Sequence, residues 1–267
     1  MTSTQTELRH MIADLVEGKE HWYLGEVTGA TADSVTDPER MEPSNSLDGW
    51  YWFCYEGTAQ GQERRIVSND KATTTLNVVR PLNPIPVVGD KYEAHEIFTI
   101  REFRHAINQA VIEVEEEVLV PHYDESMVIS SSTSEYAIPA DFTHIFDPEV
   151  ETMSGYWERI VPACWRINRG KGVLILDFSI FLGYSGCRLR INGFKSAIHV
   201  IDEADSTGIP DAYIIHKAAA VMASTRMRSR ENDPRGWHDI YSIHEQQAQQ
   251  HRADLKKDLP NNLRKVN

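Results

Sequence analysis

Cysteine is scarce in this chain. Cys54, Cys164 and Cys187 are all there is, odd in number, far apart, and each in an apolar or strand-like setting. That spacing excludes a disulfide framework and a zinc knuckle, and predicts reduced, buried thiols. Long hydrophobic runs are lacking too. No stretch approaches the ~18 apolar residues a membrane span requires. The opening, Met1-Thr-Ser-Thr-Gln-Thr-Glu-Leu-Arg-His10, lacks a basic segment followed by an apolar one, so no signal peptide is expected. Positive charge is short: 27 Lys and Arg stand against 40 Asp and Glu, a net charge of −13. Residues 1–209 hold 17 against 33, net −16, and residues 210–267 hold 10 against 7, net +3. A nucleic-acid binder needs a basic face to displace counterions, so the main body is not expected to be one. The C-terminal part suits an acidic or neutral protein surface.

Chemical motifs are also missing. A P-loop or a dinucleotide fingerprint places glycines directly before a helix. The nearest cluster, Gly183-Tyr-Ser-Gly186, lacks that spacing and the nucleophile-elbow spacing, and reads as a hairpin turn. No cofactor is expected. His238 and His244, six apart on a helix, point about 240° apart and cannot share an ion, and His244 reads as a packing residue. His122, Asp124 and Glu125 follow Pro121 as a solvated cluster, so no metal site is expected. Glu115, Glu116 and Glu117 read as a solvated helix face. Asp177 and Glu158 have the residue types of a glycosidase pair, but nothing in the sequence sets their separation. The expectation is a protein that is not an enzyme.

What is present is periodicity. Thr99–Pro121 reads as a helix: Thr99 and Glu102 have capping-box spacing, Phe103, Ile107, Ala110, Val114 and Val118 form one apolar stripe, and Pro121 stops it. Glu7–Val16 makes a short helix ended at Gly18. After Pro210, Ala212–Met227 reads as a buried helix and Trp237–Leu255 as a surface one. Between them lie aromatic and β-branched runs. Trp22–Gly25, Gly49–Gly57, Arg64–Val67, Thr74–Val78 and Asp90–Glu93 suggest a small barrel. Tyr136–Pro139, His144–Phe146, Tyr156–Ile160, Trp165–Asn168, Val173–Phe178 and Cys187–Ile191 suggest a β-sandwich, with a serine-rich connection over Glu125–Ser134.

The fold class expected is α+β: a helical bundle assembled from N-terminal, central and C-terminal helices, carrying two antiparallel β insertions. The boundaries are 1–18, the first helix; 19–97, the barrel; 98–124, the central helix; 125–206, the sandwich; 207–258, the helix pair; and 259–267, a tail. Phe103, Ile107, Val114, Ile215, Met222 and Trp237 are the expected packing residues of the helical core. Trp50 and Trp52 lie in a run too aromatic for one face of a strand. The favoured reading is a two-sided core strand of a small barrel; the alternative makes Trp50 and Trp52 an outer platform that stacks on a sugar or another subunit.

Several turns and core segments carry a resemblance. Gly49-Trp50, Gly57–Ile66, Thr73–Val78, Pro84–Pro86 and Gly89–Glu93 are followed by a helix containing Ala106-Ile107-Asn108, then by Tyr136–Phe142 and the Pro210 helix pair. Together they resemble the neck proteins of tailed bacteriophages, the head-to-tail adaptor or connector family. The resemblance implies a structural virion protein without chemistry of its own, located in the virion neck and in the host cytoplasm during assembly. It implies a homo-oligomeric, twelve-fold ring that contacts the portal protein and a tail or nozzle protein and has no membrane partner. DNA passes through it without sequence-specific binding. Under that reading Leu259, Leu263, Arg264 and Lys265 are the portal-interface candidates. The rival reading is a carbohydrate-binding module of a tail fibre or a secreted protein, using Trp50 and Trp52.

Overall fold

The computed structural model describes residues 3–40, 42–115, 118, 120–227, 233, 235–255 and 264–265. Its elements begin with α1 (Gln5–Val16), β1 (Trp22–Glu26), β2 (Gly29–Ala30), β3 (Ser34–Thr36), β4 (Tyr51–Glu56), β5 (Glu63–Asp70), β6 (Thr75–Val78), β7 (Lys91–His95) and α2 (Ile100–Val114). They continue with β8 (Val120–Val128), β9 (Glu135–Ala137), β10 (Phe142–Met153), β11 (Tyr156–Arg159), β12 (Trp165–Asn168), β13 (Val173–Leu176), α3 (Phe178–Gly183), β14 (Arg188–Lys195), α4 (Asp211–Arg226), α5 (Trp237–Leu255) and β15 (Arg264–Lys265). Two compact units divide them: Met1–Ile112 with Ile198–Arg252, and Glu113–Ala197 with Ala253–Asn267.

In the first unit seven antiparallel strands run in the order β1-β7-β4-β5-β6-β3-β2. The strands at the two ends of that order are consecutive in the chain. In the linker that joins them the Val27 amide donates to the Asp90 carbonyl beside β7 at 2.8 Å and the Thr28 amide to the Thr36 carbonyl of β3 at 2.9 Å, so one continuous segment spans both ends of the strand order and curls the sheet into a barrel. Trp52, Cys54, Ile66, Leu76, Val78, Tyr92 and Ala94 fill its interior. The opposite faces of β4 and β7 are buried as well, at Phe53, Glu93 and His95. A strand buried on both sides needs a second layer, and the helices supply it. Arg9 of α1 lies over the Phe53 ring at 5.1 Å, and Phe103 of α2 packs on the His95 ring at 4.9 Å.

This corrects the expected fold class. The chain is not a helical bundle carrying β insertions; three antiparallel sheets of seven, five and three strands are the frame, and in the first unit the helices clad it. The physical reason is the aromatic run of β4, which is doubly faced because it sits between a barrel core and a helical layer. Phe103, Ile107, Val114, Met222 and Trp237 are buried, whereas Ile215 is only half-buried. The Thr99 capping box forms as expected: the Thr99 amide donates to Glu102 Oε2 at 2.8 Å and the Glu102 amide to Thr99 Oγ1 at 3.2 Å. Arg226 ties α4 to it, donating to Glu102 Oε1 at 2.7 Å.

The joint between barrel and helices is ionic. Arg9 pairs with Glu93, and its Nη1 donates to Glu203 at 2.7 Å. His10 bonds Glu93 at 2.7 Å, and His95 lies 2.7 Å from Glu17 and 3.4 Å from Glu93. Glu17 also accepts the Phe98 amide at 2.9 Å. The Trp22 ring stacks between those of His10 and His95, at 5.3 and 5.8 Å. Burial alone would push the Glu93 carboxyl up; Arg9, with His10 and His95, holds it well below the usual carboxylate range. Burial opposes the His95 charge, yet Glu17 and Glu93 raise that group to about 9.

An unfolded histidine releases its proton near 6.5, so the folded state holds this one over a higher range. The resulting stabilisation is complete below 6.5 and is lost as pH rises through about 9. The thermal midpoint is therefore expected to fall between neutral pH and pH ~10, and to fall less steeply in His95→Gln. Parallel slopes for the two proteins in a denaturation series would contradict this.

In the second unit a five-stranded sheet, β11-β10-β14-β8 with β15 added on β10, faces a three-stranded sheet, β12-β13-β9. Phe142, Ile145, Val150, Leu189 and Ile191 from one share a core with Tyr136, Trp165, Leu174 and Leu176 from the other. Two local expectations fail here. The central helix ends at Val114, and the chain from Val120 through Pro121 to Val128 is strand β8. As the terminal strand of its sheet, β8 tolerates a proline that an inner strand would not. Gly183 closes the short helix α3 instead of opening a hairpin turn.

Candidate interaction surface

Strand β14 alternates. Leu189 and Ile191 are buried and Arg188 and Arg190 stand on the outer face, which the residue pattern already implied. The neighbouring strands offer matching groups on that same face. Arg188 forks onto Glu151 of β10, Nε to Oε2 at 2.6 Å and Nη2 to Oε1 at 2.8 Å. Arg190 Nε donates to Glu125 of β8 at 2.8 Å and its Nη1 to Glu149 at 3.3 Å. Trp157 of β11, opposite Glu151 in register, lies under both arginines, 4.0 Å from Arg190 and 5.3 Å from Arg188. Tyr123 flanks Arg190 at 5.5 Å from the other side.

Hydrogen bonds from Arg188 and then from the Gly155 amide hold the Glu151 carboxyl down to about 2. The Gly155 bond, 2.7 Å long, also fixes the turn between β10 and β11. At that turn Met153 is 74% and Tyr156 69% exposed, and Tyr123 is 63% exposed. The face is thus a held array of tryptophan, tyrosine and arginine with exposed apolar side chains at its rim.

The residues singled out from their sequence context fall elsewhere, and the first of them fail as surface residues. Trp52 is fully buried and Trp50 is 9% exposed, both inside the barrel. They offer no outer platform, because β4 and the residue just before it turn these rings inward, and helices cover the other face of β4. Leu259 and Leu263 lie outside the described residues. For Arg264 and Lys265 the backbone forms β15, paired with Ile145 and His144 of β10. His122 pairs with Asp141 at 2.7 Å, Asp124 accepts from Ser126, and Glu125 serves Arg190, so that cluster does not converge. Asp177 and Glu158 are both exposed. His244 meets His216, Nδ1 to Nδ1 at 3.1 Å, and the His251 ring stacks on His216 at 5.6 Å. Burial lowers both His216 and His244. Among the described residues no group of three histidine, cysteine or carboxylate side chains is placed to hold a metal ion. Cys54 is buried in the barrel, where burial pushes its thiol up to about 12.

Sequence reading places Trp157 in a strand and shows the Arg188/Arg190 alternation, but does not join them. The arginine–carboxylate bonds that fix the face span sequence separations of 37 and 65 residues, and the register of β11 on β10 brings Trp157 alongside. Fold and face together define a two-unit antiparallel β protein with an aromatic–arginine outer sheet face. No model of a known protein family matches the chain, and no curated protein does.

Proposed function

We propose that the chain is a structural virion protein of a tailed phage: a head-to-tail adaptor that forms a ring between portal and tail and lines the DNA passage, with no catalysis of its own. The observation that carries this reading is the outer face of the five-stranded sheet. Tryptophan, tyrosine and arginine are the residues that dominate protein–protein contacts. Here they are held in place by carboxylates before any partner arrives, which lowers the ordering cost of docking. The turn and core segments that resemble neck proteins support the same assignment. So does the strongly acidic body, which repels rather than retains passing DNA. The sugar-binding alternative loses Trp50 and Trp52, the residues it was built on, because both are interior.

The test is mass. The purified chain, mixed with portal rings from the same genome, is expected to add whole multiples of 30.4 kDa to the ring. Removal of residues 259–267, which takes with it the two-residue strand β15, is expected to abolish that increment and leave the rest of the fold intact. A portal ring of unchanged mass in the presence of the full-length chain contradicts the proposal.

A further inference from the structure

The first unit carries a cleft of about 270 Å³ on the barrel, with Tyr51, Glu63, Arg64, Arg65 and Arg80 in its wall. Three arginines at one cleft stand out in a chain whose net charge is −13. They are not equivalent. Arg64 is occupied: its Nη1 donates to the Glu63 carbonyl at 2.8 Å, and its Nη2 to Gln62 Oε1 and to the Pro81 carbonyl, both at 3.2 Å. Gln62 in turn accepts the Asn83 amide at 2.8 Å and donates to the Pro84 carbonyl at 2.7 Å. Those bonds tie the chain just after Arg80 to β5, so the segment bearing Arg80 is held in place.

Arg65 stands opposite Tyr51 in register, beside Gly49. There a Cβ would come within 3.2 Å of its Nη2, so the missing side chain leaves room for the guanidinium. Among the described residues neither the Arg65 nor the Arg80 side chain has a hydrogen-bond or ion-pair partner, and the Tyr51 hydroxyl has none either. Glu63 does not answer them. It forms no ion pair with the three arginines, and its Oε1 accepts the Ile100 amide at 2.8 Å. The Ile100 and Glu102 amides at the start of α2 are likewise engaged, by Glu63 and by Thr99, and the site rests on the arginines and not on the helix end.

Three guanidiniums against one carboxylate leave two uncompensated positive charges around a preformed cleft. We propose that this cleft binds a dianionic phosphate group, with Arg65 and Arg80 forking onto its oxygens and the Tyr51 hydroxyl donating a third bond. The planar fork of arginine matches phosphate geometry, and the charge of such a group balances the site. A free phosphate ion and a terminal phosphate on a nucleic-acid strand share this chemistry. The site is independent of the adaptor reading.

Calorimetric titration of the full chain with inorganic phosphate, in a phosphate-free buffer, tests it. Saturable binding with one phosphate per chain is expected. Arg65→Gln and Arg80→Gln should each weaken it about tenfold or more, the scale of one charge-assisted hydrogen bond, while Arg169→Gln, on the other unit, leaves it unchanged. The arginines of the cleft that are replaced lie on the surface or near it, and equal thermal midpoints will show that the variants fold. A 5′-phosphorylated oligonucleotide that competes, where its unphosphorylated twin does not, identifies a nucleic-acid end as the source. Failure of both oligonucleotides to compete identifies free phosphate. Absence of saturable binding at millimolar phosphate, or binding indifferent to both arginine replacements, overturns the proposal.

Discussion

Arg9→Met is expected to destabilise the chain by about 3–5 kcal/mol, the scale seen when one partner of a buried ion pair is removed. Arg9 is fully buried, and the carboxylates of Glu93 and Glu203 that it serves are almost as enclosed. Methionine keeps most of the volume, so the loss is one of charge and hydrogen bonding rather than packing. Glu93 would keep His10 and His95 as neighbours, which limits the loss, but Glu203 would keep the more exposed Arg104, at 3.3 Å, as its cation. Against a total stability of roughly 5–15 kcal/mol, this is a large fraction. The double replacement Arg9→Met/Glu93→Leu is expected to recover part of it, because removing both partners leaves fewer orphaned charges. Urea denaturation midpoints for the three proteins measure this. A single-variant cost below about 1 kcal/mol, the range of an exposed pair, would mean that the network does not hold the helices to the barrel.

Trp157→Ala is expected to do the opposite: little to the fold and much to assembly. The ring lies on the outer sheet face under Arg190 and Arg188, so its loss opens no interior cavity and the thermal midpoint should hardly move. An anchoring tryptophan in an interface is worth about 2–4 kcal/mol, or roughly 30- to 1000-fold in affinity for the partner that the proposed adaptor docks on. Arg190→Ala should follow it, since that guanidinium both covers the ring and engages Glu125 and Glu149. Unchanged affinity in both variants would show that this face is not where the partner docks.

The local elements were legible and the architecture was not, for reasons visible in particular residues. The span Trp237–Leu255 reads directly as a helix, because an apolar stripe survives among glutamines and charges. The Thr99 capping box is a local signal, two residues three apart, and forms as such. Strands β2 and β3, two and three residues long, are too short to carry any alternation. Strand β8 was hidden by Pro121, which is a stop signal in a helix and an acceptable residue in a terminal strand. The inversion of frame and cladding came from Trp50–Tyr55. Aromatic residues on both faces of a strand read as a two-sided core, but what covers the second face is α1, far back in the chain, and nothing in the run itself names it. The same holds for the outer face. Arginine alternation in β14 was plain, but its carboxylate and tryptophan partners sit on three other strands, which only register brings alongside.

If the proposed adaptor function holds, electron microscopy of the intact neck in virions carrying this chain puts the central claim to the most direct test. The account predicts copies of the chain arranged as a ring between portal and tail, with Trp157, Arg188 and Arg190 covered by a neighbouring protein. A neck in which the chain is missing, or in which that face looks onto open solvent all round the ring, contradicts it.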